Sequence, residues 1–137
     1  MAVKISPSVL TADFLTLGDD IARLEKAGTD MLHLDVMDGI FVPNISFGVP
    51  VIKSIKKHST VDLDVHLMIV HPEKYVERFC DAGAWSVGFH VEAVEDPLPI
   101  LELIKAKGVR TCLTINPDIP AERLVPYLDK VDMVLIM

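Results

Sequence analysis

At 137 residues, half of them hydrophobic, the chain carries apolar surface for one core, and nothing in it suggests a second domain. Its formal charge of −7, from 13 basic and 20 acidic residues scattered along the chain, disfavours nucleic acid while leaving local cations for a small phosphorylated molecule. The opening MAVKISPSVLTADF lacks the apolar core of a secretion signal and no run approaches the roughly 18 apolar residues of a membrane span, so a cytoplasmic protein with no membrane partner is the expectation.

In chain order, VKISPSVL (3 to 10) reads as a first strand. Asp13 then caps a helix with Phe14, Leu17, Ile21 and Leu24 at helical spacing, which stops at Gly28. MLHLDVM (31 to 37), LDVHLMI (63 to 69), SVGFHVEA (86 to 93), TCLTINP (111 to 117) and MVLIM (133 to 137) follow as strands, rich in β-branched residues. Between them, helices are expected over 48 to 57, 72 to 82, 97 to 107 and 120 to 128, three of them with Pro72, Pro97 or Pro120 near the start. The phrases KAGTD, DAGAW and AKGVR each place a glycine at a helix end with a strand immediately after. This βα repeat, with strands apolar on both faces, predicts an α/β fold whose parallel sheet is covered by helices.

Two parallel architectures fit, a doubly wound open sheet and a (β/α)8 barrel. The first loses ground because no GxGxxG or GxxxxGK[ST] follows the first strand. Polar residues inside the strands favour the barrel. A complete barrel typically needs roughly 250 residues, so residues 1 to 137 are expected to form a single partial barrel domain of about five and a half βα units, strands 1 to 6 of 8.

The stretch MLHLDVMDGIFVPN puts His33, Asp35 and Asp38 into an otherwise apolar run. Strand alternation places His33, Asp35 and Met37 on one face, and Asp64, His66 and Met68 on one face of the next strand. If both faces turn inward, His33, Asp35 and His66 converge near the C-terminal mouth, where barrel enzymes keep their active sites. A lone histidine of this kind is usually a hydrogen-bonded core residue. Two imidazoles and a carboxylate at matched positions instead favour one divalent ion, Zn, Fe, Mn or Co, because a buried carboxylate needs compensation.

Other polar residues carry weaker signals. His90 and Glu92 share a face, divided between lining a pocket and structural hydrogen bonding. His58 and His71 read as solvated, Asp38 with Gly39 as a turn, and Cys80 and Cys112 as buried hydrophobes without ligand spacing. Ser8, near the end of the first strand, can offer a hydroxyl, while Met37, Met68 and Met137 are core by default yet point toward the strand mouths.

ISPSVLTADF, HLDVMDGIFVPNISFG, LDVHLMI and INPDIP together, in this order and spacing, resemble the ribulose-phosphate 3-epimerase family over essentially the whole chain. The resemblance implies a TIM barrel of the pentose phosphate pathway that interconverts D-ribulose 5-phosphate and D-xylulose 5-phosphate by moving the C3 proton. It implies a divalent metal that stabilises an enediolate, and two aspartates on opposite faces of that carbon. Carried over by position, His33, Asp35 and His66 match metal ligands and Asp35 also matches one acid/base aspartate. Ser8 and His66 match substrate-binding groups, and Met37, Met68 and Met137 match apolar side chains bordering the intermediate.

In the family the second aspartate, also the fourth metal ligand, and the Gly-rich phosphate loops lie on later strands. The expectation is therefore that this polypeptide alone lacks appreciable epimerase activity, that its open edge promotes self-association, and that the full-length protein is a homo-oligomer. Rival readings are an epimerase of the same family acting on allulose 6-phosphate, and a non-catalytic metal-binding fragment. A decarboxylase or aldolase of the orotidine-phosphate type would show D-x-K-x-x-D, where this sequence has DVMDG and no lysine.

Overall fold

The computed structural model describes residues 3–137. Its frame is a five-stranded sheet of β1 (Met31–Met37), β2 (Asp62–Met68), β3 (Ser86–His90), β4 (Arg110–Ile115) and β5 (Met133–Ile136), neighbours in chain order. Every pairing is parallel, as βα connections require. Helix α1 (Leu17–Ala27) precedes β1, and α2 (Val49–His58), α3 (Val76–Cys80) and α4 (Leu98–Ala106) fill the first three crossovers. No helix among the described residues is long and apolar enough to cross a membrane.

Alternation decides which face the helices cover. Leu32, Leu34, Leu63, Val65, Leu67, Val87, Phe89, Leu113 and Ile115 are buried and pack with Ile21, Ile52, Ile55, Phe79, Ile100, Leu101 and Ile104 from the helical layer. The opposite face carries His33, Asp35, Met37, His66, Met68, Ser86, Gly88, His90, Cys112 and Thr114, a polar lining that an α/β barrel turns inward. Three helix ends use the glycines anticipated from the repeated phrase: Gly28, Gly83 and Gly108 all have positive φ, a conformation that lets the chain reverse into the next strand.

Several expected elements differ. The strand at 3 to 10 is reduced to a bridge from Ser8 to His33, with Val9–Thr11 a 3-10 turn. Pro7 has no N–H for a ladder, and the Ile5 amide is taken by the Asp30 carboxylate at 2.8 Å. The segment still runs beside β1, since the Ile5 and Pro7 carbonyls accept from the Met31 and His33 amides at 3.3 and 2.9 Å. Asp13 does not cap α1; its Oδ1 accepts from Leu15 N in a separate turn, and the helix starts at Leu17 after Thr16. The helix expected over 72 to 82 splits into a 3-10 turn, Pro72–Lys74, and α3, because Tyr75 leaves helical geometry. The one expected over 120 to 128 is a 3-10 helix, Ala121–Tyr127, with Pro126 inside it unable to donate an α-helical bond.

One cross-link between layers titrates. The Glu25 carboxylate of α1 accepts from Ser59 Oγ at 2.6 Å and Thr60 N at 2.9 Å, which clamps α1 to the chain entering β2. Those hydrogen bonds, Ser59 first, hold its pKa below the usual glutamate range. A depressed folded-state pKa gives stability that is complete above the unfolded-state value and lost as pH falls through the folded one. Glu25→Gln is thus expected to lower the denaturant midpoint at neutral pH, with the gap from wild type closing in acid. A gap of equal size at both pH values would contradict this.

Candidate active site

The parallel register of β1 and β2 sets Asp35 opposite His66, His33 opposite Asp64 and Met37 opposite Met68. Side chains alternate in step along both strands, so the three pairs share one face. His33 Nε2 lies 3.2 Å and His66 Nδ1 3.1 Å from the same oxygen, Asp35 Oδ1. The other oxygen, Oδ2, accepts from Ser8 Oγ at 2.5 Å. The bridge between Ser8 and His33 is what brings that hydroxyl in.

His33 Nδ1 is 2.8 Å from Asp64 Oδ2, and Ser86 Oγ donates to the other Asp64 oxygen. A proton on Nδ1 shared with Asp64 fixes the ring with Nε2 aimed at Asp35, the arrangement in which an outer carboxylate orients a ligating histidine. Burial of His33 works against its charged form, but hydrogen bonds and charge from Asp35 and Asp64 overcome it and raise its pKa to about 9. Burial likewise disfavours the Asp35 carboxylate, yet His33, His66 and Ser8 hold it far below the usual carboxylate range. Asp64 is lowered too, burial being outweighed by His33 and Ser86.

These residues satisfy the donor chemistry of a metal centre. The His33, Asp35 and His66 ligand atoms lie within 4.8 Å of one another, and the group can hold a metal ion. Two donors on one tetrahedral ion at roughly 2.1 Å each stand roughly 3.4 Å apart, close to the 3.2 and 3.1 Å that separate Asp35 Oδ1 from His33 Nε2 and His66 Nδ1. Three lone pairs held this close need positive charge among them, and the raised His33 pKa is the same demand expressed as a proton.

Beyond the anticipated trio, the cluster extends to His90 and Glu92. His66 Nε2 is 2.9 Å from His90 Nε2, and His90 Nδ1 is 3.0 Å from Glu92 Oε1. His90 is fully buried, stacked on His66 with centroids 5.0 Å apart and tilted against Phe41 at 4.6 Å. Burial lowers its pKa, with the neighbouring His66 acting in the same direction and Glu92 opposing. Face-sharing between His90 and Glu92 was the available signal in the sequence; their link to His66 depends on β3 pairing with β2, which periodicity alone does not give.

The remaining expected residues fall as follows. Met37 and Met68 face each other across the strand ends, Met68 being buried. Met137 shares the parity of Met133 and Leu135 but lies at the far edge of the sheet, 44% exposed, away from the histidine cluster. Asp38 is structural: its oxygens accept from the amides of Ile40, Phe41 and Val70 at 2.8, 2.8 and 2.7 Å, tying two loops together. His58 bonds back to the Ser54 carbonyl and His71 is exposed beside Glu73. Cys80 and Cys112 are free thiols that burial pushes up to about 11 and about 12, out of nucleophilic range.

The sequence profile of the ribulose-phosphate 3 epimerase family matches residues 4–137. The chain is 42% identical to the cytoplasmic isoform of ribulose-phosphate 3-epimerase from Oryza sativa subsp. japonica, covering 99% of this chain and 61% of that one. It is 41% identical to the ribulose-phosphate 3-epimerase of Bacillus subtilis (strain 168), covering 98% and 62%. It thus spans about three fifths of the length of these curated relatives. Among solved structures, a mutant tryptophan synthase alpha-subunit from Pyrococcus furiosus superposes with TM-score 0.72 at 13% identity, over 96% of this chain and 64% of that one. The tryptophan synthase alpha chain of Legionella pneumophila subsp. pneumophila gives 0.67 at 16%, over 96% and 60%. At such identities these likenesses establish the fold alone, that of a TIM barrel, of which the open five-stranded sheet is a part.

Proposed function

Since the chain belongs to the ribulose-phosphate 3-epimerase family, we propose that it supplies the metal-binding and first proton-transfer half of an enzyme that inverts C3 of D-ribulose 5-phosphate. The observation that carries this reading is Asp35, whose Oδ1 meets two imidazoles while Oδ2 turns to Ser8. One carboxylate therefore offers one oxygen to the donor cluster and keeps a second, oriented by Ser8, on the polar face of the sheet.

A hydrogen on carbon beside a ketone is too weakly acidic for an unaided carboxylate at neutral pH. A divalent ion held by His33, Asp35 and His66 would supply positive charge where negative charge develops on the sugar oxygens. Asp35 removes the C3 proton. The hydrogen bond from Ser8 Oγ at 2.5 Å fixes the rotamer of that carboxylate and holds Oδ2 in one orientation. Met37 and Met68 border the planar intermediate and exclude water that would return the proton unselectively. Reprotonation from the opposite face completes the inversion and requires a second acid.

Titration of the metal-free chain with Zn²⁺ or Co²⁺ tests the donor set. One equivalent is expected to bind, and His66→Ala to weaken binding by at least roughly tenfold. Unchanged metal content in the variant would place the ion elsewhere.

A further inference from the structure

His90 and Glu92 lie outside the donor trio, yet they constrain one of its members. Glu92 Oε1 accepts from the Asn116 amide at 3.0 Å and stands 3.0 Å from His90 Nδ1, so it acts as an acceptor toward both. The proton of that second contact belongs to His90 Nδ1. His90 is fully buried against Phe41 and His66, surroundings that favour a neutral ring with a single N–H. Its Nε2 then carries a lone pair, and the 2.9 Å contact requires the proton to sit on His66 Nε2. In a neutral His66 ring that leaves the Nδ1 lone pair on the side of Asp35 Oδ1, 3.1 Å away, whereas a second proton on Nδ1 makes it a donor to the same oxygen.

We propose that the Glu92–His90 pair is a positioning device that fixes the tautomer of His66, presenting Nδ1 rather than Nε2 to the His33–Asp35 cluster. The proposal rests on the reading of that cluster as a metal centre. It gives His66 the counterpart of what Asp64 does for His33: each of the two histidines is oriented by a carboxylate, directly through Asp64 and through one intervening imidazole from Glu92. Without the His90 acceptor, His66 gains more by placing its proton on Nδ1 and donating to Asp35, which removes the ligating lone pair.

Ring nitrogen NMR of the histidine-labelled, metal-free chain at mildly alkaline pH, paired with Co²⁺ titration, tests this. Wild type is expected to hold the His66 proton on Nε2 and the His90 proton on Nδ1. His90→Phe is expected to move the His66 proton to Nδ1 and weaken Co²⁺ binding roughly 10- to 100-fold. Glu92→Gln keeps a carbonyl acceptor for His90 and is expected to retain both the tautomer and most of the affinity, whereas Glu92→Ala loses both. The Glu92 pair carries the test if His90→Phe does not fold. Co²⁺ binding with the His66 proton on Nδ1 in wild type overturns the inference alone, as does a folded His90→Phe with unchanged tautomer and affinity. The stated tautomers without Co²⁺ binding overturn the metal-centre reading, and the ligating role given to His66 with it.

Discussion

Asp35→Asn is expected to lower ketose-phosphate epimerisation by roughly 10²- to 10⁴-fold, the contribution typical of a positioned proton-transfer group. The host is a polypeptide joining residues 1–137 to the part of the Bacillus subtilis relative that this chain does not cover, the chain matching 62% of it. Asparagine preserves volume and can still accept from Ser8, so the fold is kept. It is neither basic nor charged, however, and its NH2 meets imidazole lone pairs where Oδ1 now stands 3.1 and 3.2 Å away. Both the proton acceptor and the anionic ligand disappear with one substitution. Steady-state assay of the two joined proteins reads the effect, and a variant within tenfold of the parent would remove Asp35 from the chemistry.

Residues 1–137 alone, loaded with metal, are expected to give no measurable conversion, at least roughly 10²-fold below the joined protein. Inversion needs a proton removed from one face of C3 and delivered to the other. Among the described residues, three carboxylates touch the histidine network, and two are already committed: Asp64 to His33 and Ser86, Glu92 to His90 and Asn116. Asp35 is left to serve one face, and all three lie on the same side, Asp35 and Asp64 on the strands and Glu92 in the 3-10 turn that follows β3. Conversion by the chain alone would show that one carboxylate can reach both sides of the carbon.

Much of this was legible in the sequence for a definite reason. A parallel sheet covered by helices has a two-residue period, so one misfit, His33 and Asp35 among leucines, marks a face, and LDVHLMI marks the same face on the next strand. The register that sets Asp35 opposite His66 is the geometric form of that match. What escaped was non-local or depended on hydrogen-bond supply. Pro7 and the Asp30 carboxylate together strip the first segment of its ladder, a competition between side chain and backbone that β-propensity does not register. Pro126 lies inside the segment expected as a helix, and its missing N–H denies that segment an α-helical bond. His90 could not be placed until β3 was paired with β2, because its meaning lies in the 2.9 Å contact with a residue 24 positions away.

The most direct test follows ribulose 5-phosphate in D2O by NMR with the joined, metal-loaded protein. Xylulose 5-phosphate carrying one deuterium on C3 is the predicted product, since the proton taken by Asp35 exchanges and the other face is protonated from solvent-equilibrated acid. A folded, metal-loaded protein that gives no xylulose 5-phosphate, or that places deuterium on C1 or C2 instead, would contradict the assignment.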